Sequence, residues 1–504
     1  MLAASHPILS CDEARRLEEK LLGGDEAREW PAMQRAGRAI AAAVLRDFEE
    51  IGGFPSNGRI LVLAGKGHNG GDALIAAQAI LELFPSAQAE VIFVFGERVL
   101  RPLAARAWRS GCGFQPQRMK ALRLETAATC SYDLCLDGVF GFQFRPPAEP
   151  RIAKLLARVN SLPIRLRAAV DLPSAGLFRA DFTYATGSVK MPLVEDFART
   201  AGRVRYLDLG FFRGGEKGMN RVLTPDVLAP LAILRAPHSD KRTYGHVFIV
   251  AGSRSYPGAA LMTVLAALRS GAGLVTGLVP ESLVSAFAAR APEAMWVGMP
   301  ETPEGGLALE GQYLLAEKIG RARSLVVGPG LGREPETLAL VRDIVASAKV
   351  PLVIDADALQ PEIVSAGKAP RVLTPHWGEF ERIAGNQKLC QRITKAGGAV
   401  VLKGSITRIF GRGSINFSFF GGPVLARGGS GDLLAGLIGG LLAQTPKDPL
   451  LAAARGVVWH GLAADALARA HGQVAVHTTQ LLDFLPVVLR SAFAEASADK
   501  ECGL

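Results

Sequence analysis

The stretch RILVLAGKGHNGGDALIAAQAILEL, residues 59–83, decides the fold. Its first six residues are almost wholly apolar, without the alternation of a half-buried strand, so they read as a strand covered on both faces. A glycine-rich loop follows, Gly65 to Asp72, and then an alanine- and leucine-rich helical pattern over 73–83. Strand, tight loop and helix in that order are the opening of a βαβ unit, which implies a parallel sheet with helices on both faces. Glycines at 65, 67, 70 and 71 permit positive φ and close backbone approach. The helix start beyond them offers free N–H groups and a positive dipole end, a setting suited to a diphosphate. The spacing is neither GxGxxG nor the Walker pattern. A plain strand-to-helix turn, with Asp72 as the helix cap, explains the glycines equally well.

The same rhythm continues outward. Further buried strands are expected at 91–95, 132–136 and 164–170, and the pattern breaks at 211–226, where FFRGGEKGMN has no apolar period. Thr224-Pro225 opens a new element there. Strands are expected again at 246–251, 274–279, 324–327, 352–354, 372–374 and 399–402, then at 408–410 and 415–420. Long helices follow near 431–443 and 450–470. The reading is two α/β domains, the second the larger.

Composition narrows the function classes. The chain has 504 residues, 49% of them hydrophobic and 21% charged, which suits two to four globular domains and argues against disorder. The net charge of +10 permits anionic partners, but the basic residues form no stripe or tail interleaved with aromatics, so nucleic acid is not favoured. Six cysteines without a CxxC pair read as reduced thiols in a cytoplasmic protein, and residues 1–11 lack a signal-peptide pattern. The densest apolar run, 433–443, is too short to span a membrane.

Three strands of the first half end in polar groups: the Gly65 loop, Asp137-Gly138-Val139-Phe140-Gly141, and Asp171-Leu172-Pro173-Ser174. In a parallel sheet such ends converge on one crevice, where ligands bind. Singly, Asp137 could cap a turn and Asp171 could be an exposed loop acid. GKGHNGGD, DGVFG, VDLPS and ADFTYATGSVK together resemble the NAD(P)H-hydrate epimerase domain, over roughly residues 11–213. That resemblance implies a Rossmann-like αβα fold. It implies hydrate binding at His68, Asn69, Gly70, Gly71 and Asp72, and at Gly141, Phe142, Gln143, Phe144, Arg145, Pro146 and Pro147. It also implies potassium ligands at Asn69, Asp137 and Ser174, and Asp171 as the catalytic acid/base. His68 stands where the family usually has Asn, Ala73 where it has Gly, and Ala175 interrupts the usual PSG. The segment from Ser174 to Ala180 is shorter than in typical members.

In the second half, Arg427-Gly-Gly-Ser-Gly-Asp432 precedes an apolar helix. Donors at a helix start beside a carboxylate can hold a diphosphate while the acid moves a proton; a glycine loop capped by Asp432 is the alternative. Lys403-Gly404-Ser405-Ile406-Thr407 follows a strand, and its lysine and hydroxyls suit phosphate oxygens. Residues 252–260 and 328–332 form two more strand-end loops. His376 could donate to a ligand or simply cap a helix, and Asp355 with Asp357 could organise a metal and phosphates or merely shape a turn. These features resemble the ribokinase-like superfamily, an αβα fold. AGSRSYPGAA, GPGLG, DADAL, TPHWGEF, KGSIT and GGSGD in order are similar to its ADP-dependent NAD(P)H-hydrate dehydratase domain, over roughly 222–493.

The resemblance implies a bifunctional repair enzyme that interconverts the R and S hydrates of NADH and NADPH and dehydrates the S form with ADP and magnesium, releasing AMP and phosphate. It assigns hydrate binding to Ala259, Gly330 and His376, nucleotide binding to Lys403, Gly404, Ser405, Ile406, Thr407 and Gly431, and catalysis to Asp432. A homo-oligomer is expected, with no nucleic-acid or membrane partner. Two other readings stay open: a ribokinase-like small-molecule kinase, and a dehydratase whose first domain only binds ligand.

Overall fold

The computed structural model describes residues 2–114, 117–122, 131–195, 197, 199–384 and 387–490. The chain divides into two compact units. One holds residues 6–217 with 468–473, and the other residues 1–5, 218–467 and 474–504.

In the first unit, seven strands lie in the order Met119–Ala121, Gln88–Phe93, Arg59–Ala64, Tyr132–Gly138, Ile164–Val170, Phe182–Thr186 and Arg203–Leu207, counted among the described residues. Every pairing between them is parallel. Alternate residues of the strand Arg59–Ala64 serve two separate cores. Ile60, Val62 and Ala64 pack with the helices Glu26–Phe48, His68–Leu83 and Pro102–Phe114, while Leu61 and Leu63 pack with Pro150–Ser161. This is why the run lacks alternation: both faces are buried, and the result is a three-layer αβα unit. The chain leaves Arg59–Ala64 toward one sheet edge and returns to its other side at Tyr132–Gly138, so the topological switch point lies between these two strands.

The second unit repeats the plan with an antiparallel addition. Met295–Met299, Leu274–Pro280, His246–Val250, Ser324–Val327, Leu352–Ile354, Arg371–Leu373 and Ala399–Leu402 are parallel neighbours in that order. Thr407–Gly411 and Ser414–Ser418 then run antiparallel, and Asn220–Leu223 follows, parallel to the last. The switch point falls between His246–Val250 and Ser324–Val327. The apolar helix Ser430–Gln444 lies over it. Glycines let this helix approach its neighbours: a Cβ on Gly436 would stand 2.0 Å from the Thr263 carbonyl oxygen, and one on Gly439 2.2 Å from Val326. Among the described residues no helix is long and apolar enough to cross a membrane.

Several boundaries differ from expectation. The strand expected at 91–95 is Gln88–Phe93, because its first three residues add backbone pairing with little apolar burial. The helix expected at 73 begins at His68. Pro225 opens a 3-10 helix, Pro225–Leu231. Cys11, Cys135 and Cys390 are free thiols; Cys130, Cys502 and the side chain of Cys112 lie outside the described residues, as do residues 491–493.

Candidate active sites

The first site forms where the switch-point loops meet. Gly65 donates its N–H to the Gly138 carbonyl at 3.0 Å. A Cβ on Gly65 would stand 2.1 Å from the Val139 oxygen, and one on Gly70 2.2 Å from the Gly65 oxygen. None of Gly65, Gly67, Gly70 and Gly71 has positive φ, so the loop needs glycine for close approach and not for handedness. The helix takes Gly70 and Gly71 into its first turn, with Gly67 as N-cap. Asp72 is therefore a buried residue inside the helix and not its cap.

A cavity of ≈ 340 Å³ opens there. His68, Asn69, Gly70, Asp72, Gly141, Phe142, Gln143, Phe144 and Asp171 line it. Four of the expected binding residues do not. Arg145 turns away to Asp12 at 3.0 Å, and Pro146 and Pro147 follow it out. Gly71 packs on Met33 instead; a Cβ there would stand 2.6 Å from the sulfur. His68 is half exposed, with Nε2 3.8 Å from Glu29.

Beneath the loops, Asp137 is fully buried. Its carboxylate accepts from the Ser174 hydroxyl at 2.6 Å, from the Ser174 N–H at 2.8 Å and from the Val139 N–H at 3.3 Å. Burial pushes the carboxyl up to about 6 against these hydrogen bonds, and no cationic side chain pairs with it among the described residues. Asn69 donates to the Val170 carbonyl at 2.9 Å, and its side-chain oxygen faces Gly141. Asn69, Asp137 and Ser174 thus offer hard oxygen atoms around a buried carboxylate that lacks a counter-charge, which fits a monovalent cation.

Asp171 is the most constrained group of this cleft. Its φ is +67°, uncommon for a residue with a side chain. Its side chain is 3% exposed and accepts from the Lys190 ammonium at 2.5 Å through Oδ1, while Oδ2 is buried without a hydrogen-bond partner. Burial raises its carboxyl above the ordinary range and Lys190 opposes the shift. Asp72 is pushed well up by burial and by the charges of Asp171 and Glu18. Glu18 is pushed up to about 7 by burial, with Asp171 and Glu29 adding to it. A second positive φ occurs nearby at Ala175, +56°, in the very place where the resemblance expects Gly.

In the second unit the same strand-end logic gathers the other set. Gly252 (φ +84°) donates to the Pro329 carbonyl at 2.8 Å, and Ser253 to the Gly330 carbonyl at 2.8 Å. A Cβ on Gly330 would stand 2.7 Å from that of Ala259, so these two expected residues are neighbours. Gly429 (φ +90°) caps the helix Ser430–Gln444, and Asp432 stands in its first turn. Lys403 bonds Asp355 at 3.0 Å, and a Cβ on Gly431 would stand 3.3 Å from its Nζ. Burial pushes the Lys403 ammonium down, but Asp355 and Glu379 outweigh it and hold it above its ordinary value. Asp432 is pushed up to about 6 by burial and by Asp355, with Lys403 opposing. Asp357 is turned to the Gly332 N–H at 3.1 Å and to Arg333, so the Asp355/Asp357 pair divides between two tasks. Gly404 and Ser405 are exposed, and Ile406 and Thr407 half-buried, on the loop after Lys403.

His376 adopts the capping role that the sequence left open. Its Nδ1 accepts the Gly378 N–H at 3.1 Å, its own N–H goes to Glu379 at 2.8 Å, and the ring is 61% exposed. Nε2 remains as its outward face, 3.4 Å from Glu379. His376 also pairs backbone to backbone with Lys403, which puts it beside the loop 403–407. Among the described residues no cluster of three or more His, Cys, Asp or Glu is arranged to hold a metal ion.

Of the charged residues lining the first cleft, Glu18, Glu29, Lys66, Arg101 and Lys190 escaped the sequence reading. Lys190 is the last residue of the quoted ADFTYATGSVK, the signal that could have found it. Glu18 comes from the helix Cys11–Leu22, where it is one glutamate among several on an amphipathic helix.

Comparison with known proteins agrees with this division. Residues 31–191 match the family described as YjeF-related protein N-terminus, and residues 247–487 the family described as NAD(P)H-hydrate dehydratase. The chain is 33% identical over 508 residues to a bifunctional NAD(P)H-hydrate repair enzyme of Moorella thermoacetica, covering 94% of each chain. It is 38% identical over 490 residues to one of Gloeobacter violaceus, covering 90% of this chain and 92% of that. Among solved structures, an ADP/ATP-dependent NAD(P)H-hydrate dehydratase from Bacillus subtilis, co-crystallized with ATP and Mg²⁺, is 30% identical, with a TM-score of 0.45, over 51% of this chain and 94% of that one. With similarity of this extent running through both halves, the chain belongs to the family of bifunctional NAD(P)H-hydrate repair enzymes.

Proposed function

We propose that this enzyme repairs hydrated NADH and NADPH in two steps, epimerisation over residues 11–213 and ADP-dependent dehydration over residues 222–493, the latter on a ribokinase-like fold. The observation that carries the reading is the Asp432 carboxyl, pushed up to about 6 at the mouth of a glycine-capped helix and flanked by the Lys403–Asp355 pair. A carboxylate of that basicity can take a hydroxyl proton near neutral pH.

In the second site, Asp432 removes the proton of the hydrate's ring hydroxyl as that oxygen attacks the terminal phosphorus of ADP. AMP leaves, and the phosphorylated ring then loses phosphate from one carbon and a proton from the adjacent carbon, whose C–H electron pair restores the double bond. The N–H groups at the start of the helix Ser430–Gln444 and the Lys403 ammonium stabilise the phosphoryl oxygens. Lys403, Gly404, Ser405, Ile406, Thr407 and Gly431 hold the nucleotide; Ala259, Gly330 and His376 face the hydrate. Asp355 and Asp432 are the carboxylates that would meet a nucleotide-borne magnesium ion, whose contribution is to neutralise diphosphate charge.

In the first site, Asp171 moves the proton that interconverts the epimers, and Asn69, Asp137 and Ser174 would hold a potassium ion that supplies the missing counter-charge to Asp137. His68 to Asp72 and Gly141 to Phe144 form the hydrate's walls. The three free thiols suit a reducing cytoplasm.

One experiment tests both halves. The protein is incubated with mixed hydrate epimers, magnesium and either ADP or ATP, and each epimer is followed separately. Both epimers should be consumed with ADP. Phosphorylation of a hydroxymethyl substrate by ATP without hydrate repair would select the kinase reading, and rescue of only one epimer would leave the first domain as a binding module.

A further inference from the structure

We infer that Lys190 is a positioning residue for proton transfer in the first cleft, clamping Asp171 and stabilising the carboxylate left each time Asp171 gives up its proton. The inference rests on the epimerase reading and goes beyond it, since that reading needs Asp171 alone.

Lys190 sits on the short strand Val189–Lys190, in register with Leu9. Its side chain is 1% exposed, its ammonium donates to Asp171 Oδ1 at 2.5 Å and to the Thr186 carbonyl at 3.1 Å, and it lies 5.1 Å from the centre of the Phe142 ring. A buried lysine–carboxylate pair kept only for stability would be expected to have its second carboxylate oxygen hydrogen-bonded as well. Here one oxygen is fixed and Oδ2 is left buried and unpartnered in a residue that lines the cavity. The φ of +67° at Asp171 is a departure of the kind held in place by surrounding structure. The clamp has a direction: Oδ1 is turned to the lysine, Oδ2 is left for a ligand.

The chemistry of the hydrate says why such a clamp matters. A reduced nicotinamide is an enamine, so added water places its hydroxyl on the carbon bonded to the ring nitrogen. Asp171 gives a proton to that hydroxyl. The C–O bond breaks with its electron pair leaving on water, and the nitrogen lone pair closes a C=N⁺ bond. Water adds to the opposite face, the C=N⁺ electron pair returns to nitrogen, and the proton shed by the added water returns to Asp171. Between the two transfers Asp171 is a buried carboxylate near Glu18 and Asp72, both acidic, and Lys190 is the cation bonded to it.

The test uses the full chain without nucleotide, so that only interconversion is read. One enriched epimer is supplied and the other followed by chromatography. Lys190→Met is expected to lower kcat about 100-fold while KM stays within about threefold, the split expected of a group acting on the transferring proton. Lys190→Arg should recover kcat to within about tenfold of wild type. Unchanged kcat in Lys190→Met, or a loss confined to KM, overturns the proposal. Because Lys190→Met strands a buried carboxylate and can unfold the domain, the second arm adds Lys190→Met to Asp171→Asn. No further loss is expected there, and a further fall in residual interconversion overturns the proposal. A wild-type chain no faster than the spontaneous reaction removes the epimerase reading itself, an outcome distinct from failure of the lysine alone.

Discussion

Both clefts set a lysine–carboxylate pair beside further acidic groups, but they use the lysine differently. In the first, Lys190 bonds the proposed proton carrier, Asp171, directly at 2.5 Å. In the second, Lys403 bonds Asp355, and Asp432 stands apart under pressure from burial and from Asp355. Burial raises both carboxyls and a lysine opposes the rise in both; the first lysine is bonded to that carboxyl itself, the second to a neighbouring carboxylate whose charge adds to the rise. Their loops differ in parallel. Gly65 and Gly70 are required by contact distance alone, whereas Gly252, Gly328, Gly330 and Gly429 combine close contacts with positive φ.

The comparison breaks first at its centre. Asp432→Asn should cut ADP-dependent recovery of reduced-nicotinamide absorbance by about 10³-fold or more while nucleotide affinity by calorimetry changes only a few-fold; equal loss of binding would make Asp432 a nucleotide ligand. Asp171→Asn should bring epimer interconversion down by about 10²-fold and leave dehydration of the accepted epimer untouched. Loss of both activities would mean the two clefts are not independent. The loop contrast is next. Gly65→Ala should lower stability by about 1–3 kcal/mol in denaturant titration, because its Cβ meets backbone at 2.1 Å. Gly428→Ala, with nothing within 4 Å, should stay within about 0.5 kcal/mol of wild type.

The proton inventory gives a finer test. Asp432 as base must be ionised, so the dehydration rate should fall as pH drops through about 6, approaching tenfold per unit. A rate flat from pH 7 to pH 5 would deny it that role. A small gain is expected of Ala175→Gly, which relieves a left-handed alanine at φ +56°. It should add about 0.5–1 kcal/mol and raise the first unit's Tm by about 2–4 °C.

Much of this was legible in the sequence because glycine loops follow apolar strands at both switch points. The strands Ser324–Val327, Leu352–Ile354 and Ala399–Leu402 lie within their expected bounds, since each is a short apolar run buried on both faces. The strands Met119–Ala121 and Met295–Met299 escaped notice because they border only one neighbour and are only partly buried. The helix start at His68 was hidden by glycines that propensity assigns to a loop but whose neighbours demand a missing side chain. His376 was ambiguous because its cap depends on Glu379 as well as on its own ring. Lys190 could not be tied to Asp171 from spacing: the contact joins two strand ends and depends on the unusual backbone at 171.

That backbone also limits how this position can change over generations. Few residues sit comfortably at φ +67°, and among those with side chains asparagine is the nearest in shape to aspartate. A lineage that abandoned proton transfer here, while keeping the fold, would be expected to carry Asn or Gly at 171. Under the role proposed for Asp171, Asn or Gly at that position would mark a copy of this domain retired from proton transfer.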